Sequence, residues 1–437
     1  MADVDPHHVL RGHFGEVQSL SFLSEQRLFS GDFNGEVHLW DLSSCRAEYT
    51  GRLHDTNAGV LHLACLPSYG ALVSQGRDGC VKVWALDQTG VPDRPEPLHE
   101  AATGSFNFCR FAVWAPGSAP QQAAEVAAGA AAPTSQQQLR GVYLASAAHD
   151  PSEVAVWRPA EAANAVVHLR QSPAETKHGM CMSLAFLAPT GEGGAAGNAD
   201  CSVGDSESSS GMGIGSSSGG SQGGEAAGAG GGPRYLVTGY EDGVAALWDL
   251  RSPGRPLGSA RLHSEPVMCC DVRPAAARKP KAIAAASAPA GGGEGPAAAV
   301  LRAAAAPATP GPSSTPLSYD LVTGSADDVV SCCSLRPAEA QPVRLAKQIK
   351  LREAGTADVR IRPDGKLFAC GCWDGRTRLY SVRKREPLAV LKYHRNQVTA
   401  VAFSPVTGTL ATASRDTSVA LWSVYTNVTG ESHGLDA

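Results

Sequence analysis

Seven segments of the sequence repeat one pattern, and this repetition limits the fold more than any other feature. Each segment has a strand-like stretch of small residues, an acidic or polar turn, and a second stretch ending on an aromatic residue or its replacement. Apolar and polar residues alternate, and Asp-Gly, Asn-Gly or Asp-Thr marks the turn, as in β-hairpins. One such sheet cannot bury both faces, so neighbouring units must stack. The segments are 28–41, 72–85, 144–157, 236–249, 321–334, 368–381 and 410–423.

A further strand precedes several of these pairs, and no convincing helix appears. Where nothing is inserted, the spacing of the units resembles the ~40–45 residues of a WD repeat. We therefore predict an all-β fold, a seven-bladed WD-repeat β-propeller that occupies residues 1–425, followed by a flexible tail at 426–437. The blades are predicted to end near residues 41, 85, 158, 250, 335, 382 and 424. The preceding strands are 17–23, 60–66, 267–272, 357–363 and 398–405.

Three insertions lengthen the spacing between repeats. Residues 115–138 are rich in Ala and Gln, 189–233 in Gly and Ser, and 275–316 in Ala, Pro and Gly. Such compositions bury too little apolar surface to fold, so we predict disordered loops. Each insertion joins the first strand of a repeat to its second. All three should therefore emerge on one face of the ring, opposite the acidic turns.

The two ends of the chain predict how the ring closes. Residues 7–13 form a strand without partners of its own, and the chain reaches 421–425 one strand short of a complete blade. We predict that the N-terminal strand completes the last blade and makes the ring one cooperative unit.

Most repeats carry His, Ser or Thr, Asp and Trp at matching positions. These residue types could form a catalytic triad, because together they activate a nucleophile. They could also form a buried hydrogen-bond chain that holds strands together. A triad is needed once, whereas this set recurs around the ring, so we favour the structural role and predict no enzymatic activity. The predicted structural residues are His13, Ser30, Trp40, His54, Ser74, Asp78, Trp84, Thr238, Asp242, Trp248, His263, Thr323, Asp327, His394, Thr412, Asp416 and Trp422.

Several repeats depart from this set, which indicates that the polar chain is incomplete in part of the ring. Repeat one has Asn34 at the acidic position, and repeat three has Ser146, Asp150 and Trp157 with only His99 as a histidine candidate. In repeat four His178 is one position off the expected spacing, and in repeat five Cys333 replaces Trp. Repeat six has Cys370, Asp374 and Tyr380 but no histidine.

Charge and composition exclude several functional classes. The formal net charge is −5 and no basic run exists, so we expect no direct binding of nucleic acid or membrane. The N-terminus has no apolar core of a signal peptide, so we expect a nuclear and cytoplasmic protein whose 12 cysteines are mostly free and buried. Cys370 and Cys372 share a strand face, but no second pair with ligand spacing accompanies them, so we predict no metal and no cofactor.

Several segments have a sequence more specific than that of a general repeat. They are HVLRG (8–12), LVSQGRDGCVKVW (72–84), FNFCR (106–110), GYEDGVAALWD (239–249), HSEPVMCCDV (263–272) and IRPDGKLFACGCWDGRTRLYSV (361–382). These segments resemble one WD-repeat family in particular, the ASTRA-associated protein 1 family, also called guanine nucleotide-binding protein subunit beta-like protein 1. The resemblance implies a non-catalytic subunit of the ASTRA assembly, linked to chromatin remodelling. It also implies that the protein acts with the Tel2–Tti1–Tti2 co-chaperone, which matures phosphatidylinositol-3-kinase-like kinases.

A second hypothesis is a substrate receptor of a cullin-based ubiquitin ligase. It depends on Trp248-Asp249-Leu250-Arg251, which resembles a short box that docks WD-repeat proteins on their adaptor. Under either hypothesis we expect a monomeric propeller within a hetero-complex. The candidate partner-binding residues, each at or just before an acidic turn, are Arg77, Glu241, Trp373 and Arg415.

Overall fold

Seven four-stranded antiparallel sheets make up the described part of the chain. The computed structural model describes residues 5–55, 58–93, 96–103, 108–116, 139–161, 166–171, 178–188, 232–275 and 317–425. The described residues include a short 3-10 turn, Pro67–Tyr69. No helix in this part of the chain has the length and apolar character needed to cross a membrane.

Each sheet is one blade, and six of the seven use four strands that are consecutive in the chain. Blades one and two contain β2 (Val17–Phe22), β3 (Arg27–Asp32), β4 (Glu36–Asp41), β5 (Arg46–Arg52), β6 (Val60–Leu66), β7 (Ala71–Gly76), β8 (Cys80–Ala85) and β9 (His99–Ala102). Blades three and four contain β10 (Ala112–Trp114), β11 (Tyr143–Ala147), β12 (Val154–Trp157), β13 (Val167–Leu169), β14 (Cys181–Phe186), β15 (Tyr235–Tyr240), β16 (Val244–Asp249) and β17 (Gly258–Arg261).

The remaining blades repeat this order. Blades five and six contain β18 (Cys269–Pro274), β19 (Tyr319–Gly324), β20 (Val329–Leu335), β21 (Val343–Lys350), β22 (Thr356–Ile361), β23 (Leu367–Cys372), β24 (Arg376–Ser381) and β25 (Pro387–Lys392). Blade seven contains β26 (Val398–Phe403), β27 (Leu410–Ser414), β28 (Ser418–Trp422) and the N-terminal strand β1 (His8–Arg11).

First strands of neighbouring blades contact one another, and this places them around the axis of a ring. β2 contacts both β6 and β26, and β22 contacts both β18 and β26. The fourth strands lie at the rim, where β5 and β21 are largely exposed. The predicted seven-bladed β-propeller is therefore confirmed.

The ring closes through the two ends of the chain. β1 pairs antiparallel with β28, with Leu10 opposite Val419, and the sheet order is β1-β28-β27-β26. Leu10 is 1% exposed and joins the apolar cluster between blades seven and one. The strand pairing expected from the unpartnered N-terminal segment is the one the structure contains.

Adjacent blades pack so closely that certain positions of their second strands have room only for glycine. A Cβ added to Gly31 would lie 2.6 Å from a methyl carbon of Val60, at the start of the next blade. A Cβ added to Gly371 would lie 2.8 Å from the corresponding methyl of Val398. Separations under 3 Å force a neighbour to move, so the small residues of the second strands allow blades to approach closely.

The predicted blade limits differ from the observed ones by one strand. The predicted blade ends, near residues 41, 85, 158, 250, 335, 382 and 424, lie just after each third strand. Each sheet continues to a fourth strand, because the third strand pairs on its outer edge with the strand that follows it in the chain; β4, for example, pairs with β5.

The insertions occur where the sequence analysis placed them in the topology. The described chain stops and resumes between β10 and β11, between β14 and β15, and between β18 and β19, which are first-to-second-strand connections. Residues 117–138, 189–231, 276–316 and 426–437 lie outside the described residues, so the predicted disorder of the insertions and the tail stays a prediction.

The 11 cysteines in the described ranges are free, and most are buried. Cys201 lies outside those ranges. Burial raises the pKa of the Cys270 and Cys333 thiols to about 12. These thiols are neutral near pH 7 and act as small apolar core residues.

Deleting residues 1–12 should lower the melting temperature by roughly 10 °C, because it removes the β1–β28 pairing and the buried Leu10 side chain. Differential scanning calorimetry checks this. A deletion of residues 1–6 leaves β1 intact and should melt like the full chain. Equal melting temperatures for the two deletions would refute the role of β1 in closing the ring.

Candidate functional site

Blade two contains the polar chain in complete form. Trp84 Nε1 donates to Ser74 Oγ at 2.8 Å, and Ser74 Oγ lies 2.8 Å from His54 Nε2. His54 Nδ1 lies 2.8 Å from Asp78 Oδ2. The indole N–H can only donate and a carboxylate can only accept, so the chain is satisfied when Ser74 donates to Nε2 and His54 carries its proton on Nδ1. Burial would raise the pKa of Asp78, but the hydrogen bonds from His54 and from the backbone N–H of Cys80 outweigh it and lower that pKa.

Blade seven repeats this arrangement. Trp422 Nε1 donates to Thr412 Oγ1 at 3.0 Å, which lies 2.8 Å from His394 Nε2, and His394 Nδ1 lies 3.0 Å from Asp416 Oδ2. Asp416 also accepts the backbone N–H of Arg395. The hydrogen bonds from His394 and Ser418 outweigh the effect of burial and hold the pKa of Asp416 well below its usual range.

Blade five has the hydroxyl, imidazole and carboxylate of the polar chain but lacks its tryptophan. His263 Nε2 lies 2.8 Å from Thr323 Oγ1, and Nδ1 lies 3.1 Å from Asp327. Cys333, which occupies the tryptophan position, is buried in the cluster between blades four and five. This blade therefore loses the indole donor and retains the histidine–aspartate contact.

Blade one uses a different aspartate from the position we assigned. His13 Nδ1 lies 3.0 Å from Asp32 Oδ2, and His13 Nε2 lies 2.6 Å from Ser30 Oγ, which accepts from Trp40 at 2.7 Å. Asn34 therefore does not replace the carboxylate; instead its backbone N–H donates to Asp32. Asp32 follows Ser30 by two residues, and residues two apart on a strand lie on the same face. Strand alternation could therefore have identified Asp32, but the alignment of the repeats pointed to Asn34 instead.

Blade six replaces the missing histidine with an arginine. Arg378, on β24, donates to both carboxylate oxygens of Asp374, at 3.0 and 2.6 Å. Both side chains are buried, at 8% and 3% exposure. Burial would lower the pKa of Arg378, but the hydrogen bonds that Arg378 donates to Asp374 and the negative charge around it raise that pKa. A bidentate ion pair therefore takes over the role of the His–Asp contact.

In blade four the histidine reaches the carboxylate but not the hydroxyl. His178 Nδ1 lies 2.9 Å from Asp242 Oδ2, while Trp248 Nε1 donates to Thr238 Oγ1 at 3.0 Å. Tyr240 lies between the two halves, with its ring centroid 5.4 Å from that of His178. In blade four, Tyr240 therefore lies where the histidine of the complete sets would contact the hydroxyl.

Blade three does not assemble the set. Ser146 Oγ donates to the carbonyl of Ala147, and Trp157 Nε1 is buried without a partner. His99 lies within β9 of blade two and is not at the loop position of the other histidines. Our candidate histidine for this blade is therefore misplaced.

The hydroxyls of these sets are not accessible nucleophiles. Ser30, Ser74, Thr323 and Thr412 are each 0% exposed. In the sets that end in tryptophan, the hydroxyl oxygen already accepts the indole N–H, so a substrate cannot reach it. The arrangement links strands within a blade to the loop that enters it. Among the described residues no group of His, Cys, Asp and Glu side chains fits a metal ion.

One arginine crosses the axis of the ring. Arg110, at the entry to blade three, lies 3.2 Å from Asp358 of blade six. It also donates to the carbonyl oxygens of Thr399 in blade seven, at 2.8 Å, and of Gln18 in blade one, at 3.3 Å. This side chain ties blades on opposite sides of the ring and occupies part of the axial opening. Sequence reasoning did not single it out, because the contact joins residues far apart in the chain.

The candidate partner-binding residues occupy one equivalent position per blade, three residues after the Ser, Thr or Cys of the second strand. At this position the backbone N–H bonds to the loop that enters the blade, as Arg77 does to Gly59 and Trp373 does to Gly355. Their side chains are left at the surface, and Trp373 is 40% exposed. Sequence reasoning missed Phe33, which has the same position in blade one. The full ring of positions is Phe33, Arg77, His149, Glu241, Ala326, Trp373 and Arg415.

The box at the end of β16 is used inside the blade. Trp248 is 1% exposed, and Asp249 pairs with Arg234 at 3.2 Å and accepts the N–H of Arg251. Only Arg251 is exposed. These contacts explain the box as an ordinary strand end and give the ubiquitin-ligase hypothesis no support.

Comparison with known proteins yields relatives along nearly the whole chain. The family model of the WD domain, G-beta repeat, matches residues 4–41, 353–381 and 385–423. The chain is 27% identical over 426 residues to guanine nucleotide-binding protein subunit beta-like protein 1 of Mus musculus, covering 96% of each chain. It is 27% identical over 424 residues to ASTRA-associated protein 1 of Verticillium alfalfae, covering 91% of this chain and 78% of the relative. The resemblance predicted from the sequence is thereby confirmed.

Arg378→Ala should lower the free energy of unfolding by about 3–5 kcal/mol, because it leaves the buried Asp374 carboxylate without its partner. Arg376→Ala is the matched control: Arg376 is 36% exposed, lies 4.0 Å from the same carboxylate, and should cost less than about 1 kcal/mol. Urea unfolding of both variants checks this. Equal losses would contradict the role of Arg378.

The polar chains should make stability fall in acid. The pKa of Asp416 is lower in the folded chain than the ordinary value near 3.9, so the unfolded chain takes up its proton first as the pH falls. The stability that Asp416 adds is fully present above about pH 5 and declines progressively as the pH falls below about 4 toward the lower pKa of the folded chain. The difference in melting temperature between wild type and Asp416→Asn should therefore shrink from pH 6 to pH 3. A difference that stays constant over this range would contradict this account.

Proposed function

We propose that this chain, a WD-repeat β-propeller that resembles ASTRA-associated protein 1 along most of its length, is a non-catalytic scaffold of the ASTRA assembly. In that assembly it would take part in chromatin remodelling. Together with the Tel2–Tti1–Tti2 co-chaperone it would support the maturation of phosphatidylinositol-3-kinase-like kinases. We propose that it acts in the nucleus and the cytoplasm.

The main support for the scaffold role is that the recurring Ser or Thr, His, Asp and Trp side chains of the described residues bond to one another inside the blades. Each complete Ser/Thr–His–Asp set has a hydroxyl with no exposed surface. The hydroxyl, imidazole and carboxylate bond to one another, and in blades one, two and seven the indole joins them. We therefore propose that the protein acts by binding other molecules at the surface of the ring. A closed propeller offers several separate faces for such binding.

The assignment to the ASTRA assembly rests on the relatives. Several relatives are named ASTRA-associated protein 1, including those of Verticillium alfalfae and Pyricularia oryzae, at 27% and 28% identity. The alignment with the second covers 94% of this chain and 88% of the relative, so it extends over most of both sequences. The partners themselves are proposed from that name and from the resemblance of the repeats.

Affinity purification of the tagged full chain tests the proposal. We expect ASTRA subunits and the Tel2–Tti1–Tti2 proteins among the co-purified proteins identified by mass spectrometry. Arg251→Ala, at the exposed end of the Trp248–Arg251 box, should leave this set unchanged. Recovery of a cullin adaptor that depends on Arg251, without the kinase-maturation proteins, would overturn the proposal.

A further inference from the structure

Exposed phenylalanine and arginine side chains lie together on one half of the face that carries the acidic turns. Phe33 is 46% exposed and Phe108 is 58% exposed, and both belong to loops on this face. Arg77 lies next to both phenylalanines, and Arg415 occupies the equivalent turn of blade seven. We call Phe33, Arg77, Phe108 and Arg415 the aromatic–arginine surface; it extends over blades seven, one, two and three.

The side chains of this surface hold one another in place. The Arg77 guanidinium carbon lies 4.8 Å from the ring centre of Phe33 and 5.8 Å from that of Phe108, within the range of cation–π contacts. The backbone N–H of Phe33 donates to the carbonyl of Glu16 at 2.8 Å, and that of Arg77 to Gly59 at 2.9 Å. Because the turns are pinned, little conformational entropy is left to lose when a partner binds.

The charges of the surface leave a positive excess. Arg415 Nε lies 3.4 Å from Glu16 Oε2, so this one carboxylate compensates one guanidinium. Burial and then the charge of Arg415 lower the pKa of Arg77, and Glu16 opposes them only in part. An additional carboxylate placed here would relieve the repulsion between the two arginines.

The other half of the face differs. At the position equivalent to Phe33, Arg77 and Arg415, blade four has Glu241, blade five has Ala326 and blade six has the exposed Trp373, so none of these three blades places an arginine there. Glu241 Oε2 accepts the backbone N–H of Met180 and brings a negative charge. An acidic partner is therefore attracted to blades seven to three and repelled at blade four, which fixes where it lies on the ring.

We infer that the aromatic–arginine surface binds an acidic protein segment that carries apolar side chains, its carboxylates on Arg77 and Arg415 and its apolar groups on Phe33 and Phe108. This deepens the proposed scaffold function by assigning a surface and a class of partner. Exposed phenylalanine and arginine could also stack on nucleobases. The surface contains two arginines, one of them paired with Glu16, and this small number of cations suits the few carboxylates of a peptide better than the regularly spaced phosphates of a nucleic acid.

The test uses the purified full chain and a fluorescein-labelled peptide in which Asp alternates with Leu, with binding measured by fluorescence anisotropy. The wild-type chain should bind this peptide. Arg77→Glu and Arg415→Glu should each weaken binding by about tenfold or more, because a carboxylate would face a carboxylate. Lys347→Glu changes the charge equally on the exposed rim strand β21 and should leave binding unchanged. Melting curves establish that all three variants are folded.

Two further probes separate the chemistries. Replacing Leu by Ser in the peptide should weaken binding, as should Phe108→Ser in the protein, and replacing Asp by Lys should abolish it. The inference is overturned if the wild-type chain does not bind the Asp–Leu peptide, or if Arg77→Glu binds it as well as wild type does. Tighter binding of a single-stranded oligothymidylate that the same variants release would assign the surface to nucleic acid instead.

Purification of the tagged Arg77→Glu chain distinguishes this inference from the proposed function. If wild type recovers ASTRA subunits and the variant loses some of them, both stand. If both chains recover the same set, the scaffold function stands and the surface is wrong. If wild type recovers none of the named subunits while the peptide still binds, the proposed assembly is wrong and the surface stands.

Discussion

The closure of the ring by the chain ends is the contact on which the other features depend. Each four-stranded blade buries its faces only against its neighbours, so an open stack would leave two apolar faces in water. The pairing of β1 with β28 places residues 8–11 in blade seven, and Leu10 fills the cluster between blades seven and one. Arg110 adds a second long-range tie by joining blade three to blades six, seven and one near the axis.

Several blades pair a buried carboxylate at the turn with a hydrogen-bond donor, but the donor is not the same residue type in every blade. A buried carboxylate at the turn must be paired, because an unpaired buried charge is costly. His54 and His394 meet this need with imidazole, and Arg378 meets it with guanidinium. The rule concerns the hydrogen bonds of the carboxylate and not the identity of its partner, which explains why some repeats lose their histidine without losing the blade. In blade three the indole N–H of Trp157 has no hydrogen-bond partner, and the pairing of β12 with β11 together with packing holds the strand end.

The same turns that hold the blades together also determine what the surface presents. The residue beside the acidic turn is fixed by its backbone hydrogen bond, so its side chain is free to vary. This freedom allows Phe33 and Arg77 to stand beside each other on adjacent blades, with Glu241 on the other side of the ring. Specificity for a partner can thus change blade by blade while the interior stays constant, as expected when function is built onto a repeated scaffold.

The sequence by itself determined the fold class, the number of blades, the role of the first strand and the place of the insertions. These follow from the alternation of apolar residues and the repeat of turn signals, which are local in the chain. It also predicted the complete polar sets of blades two and seven, because their spacing is regular. It misassigned Asn34 and His99 and missed Arg378, because alignment compares positions whereas pairing depends on which side chains share a strand face. Only the tertiary structure decided that Arg110 reaches across the axis and that Phe33, Arg77 and Phe108 meet, because residues distant in the chain become neighbours only when the ring closes.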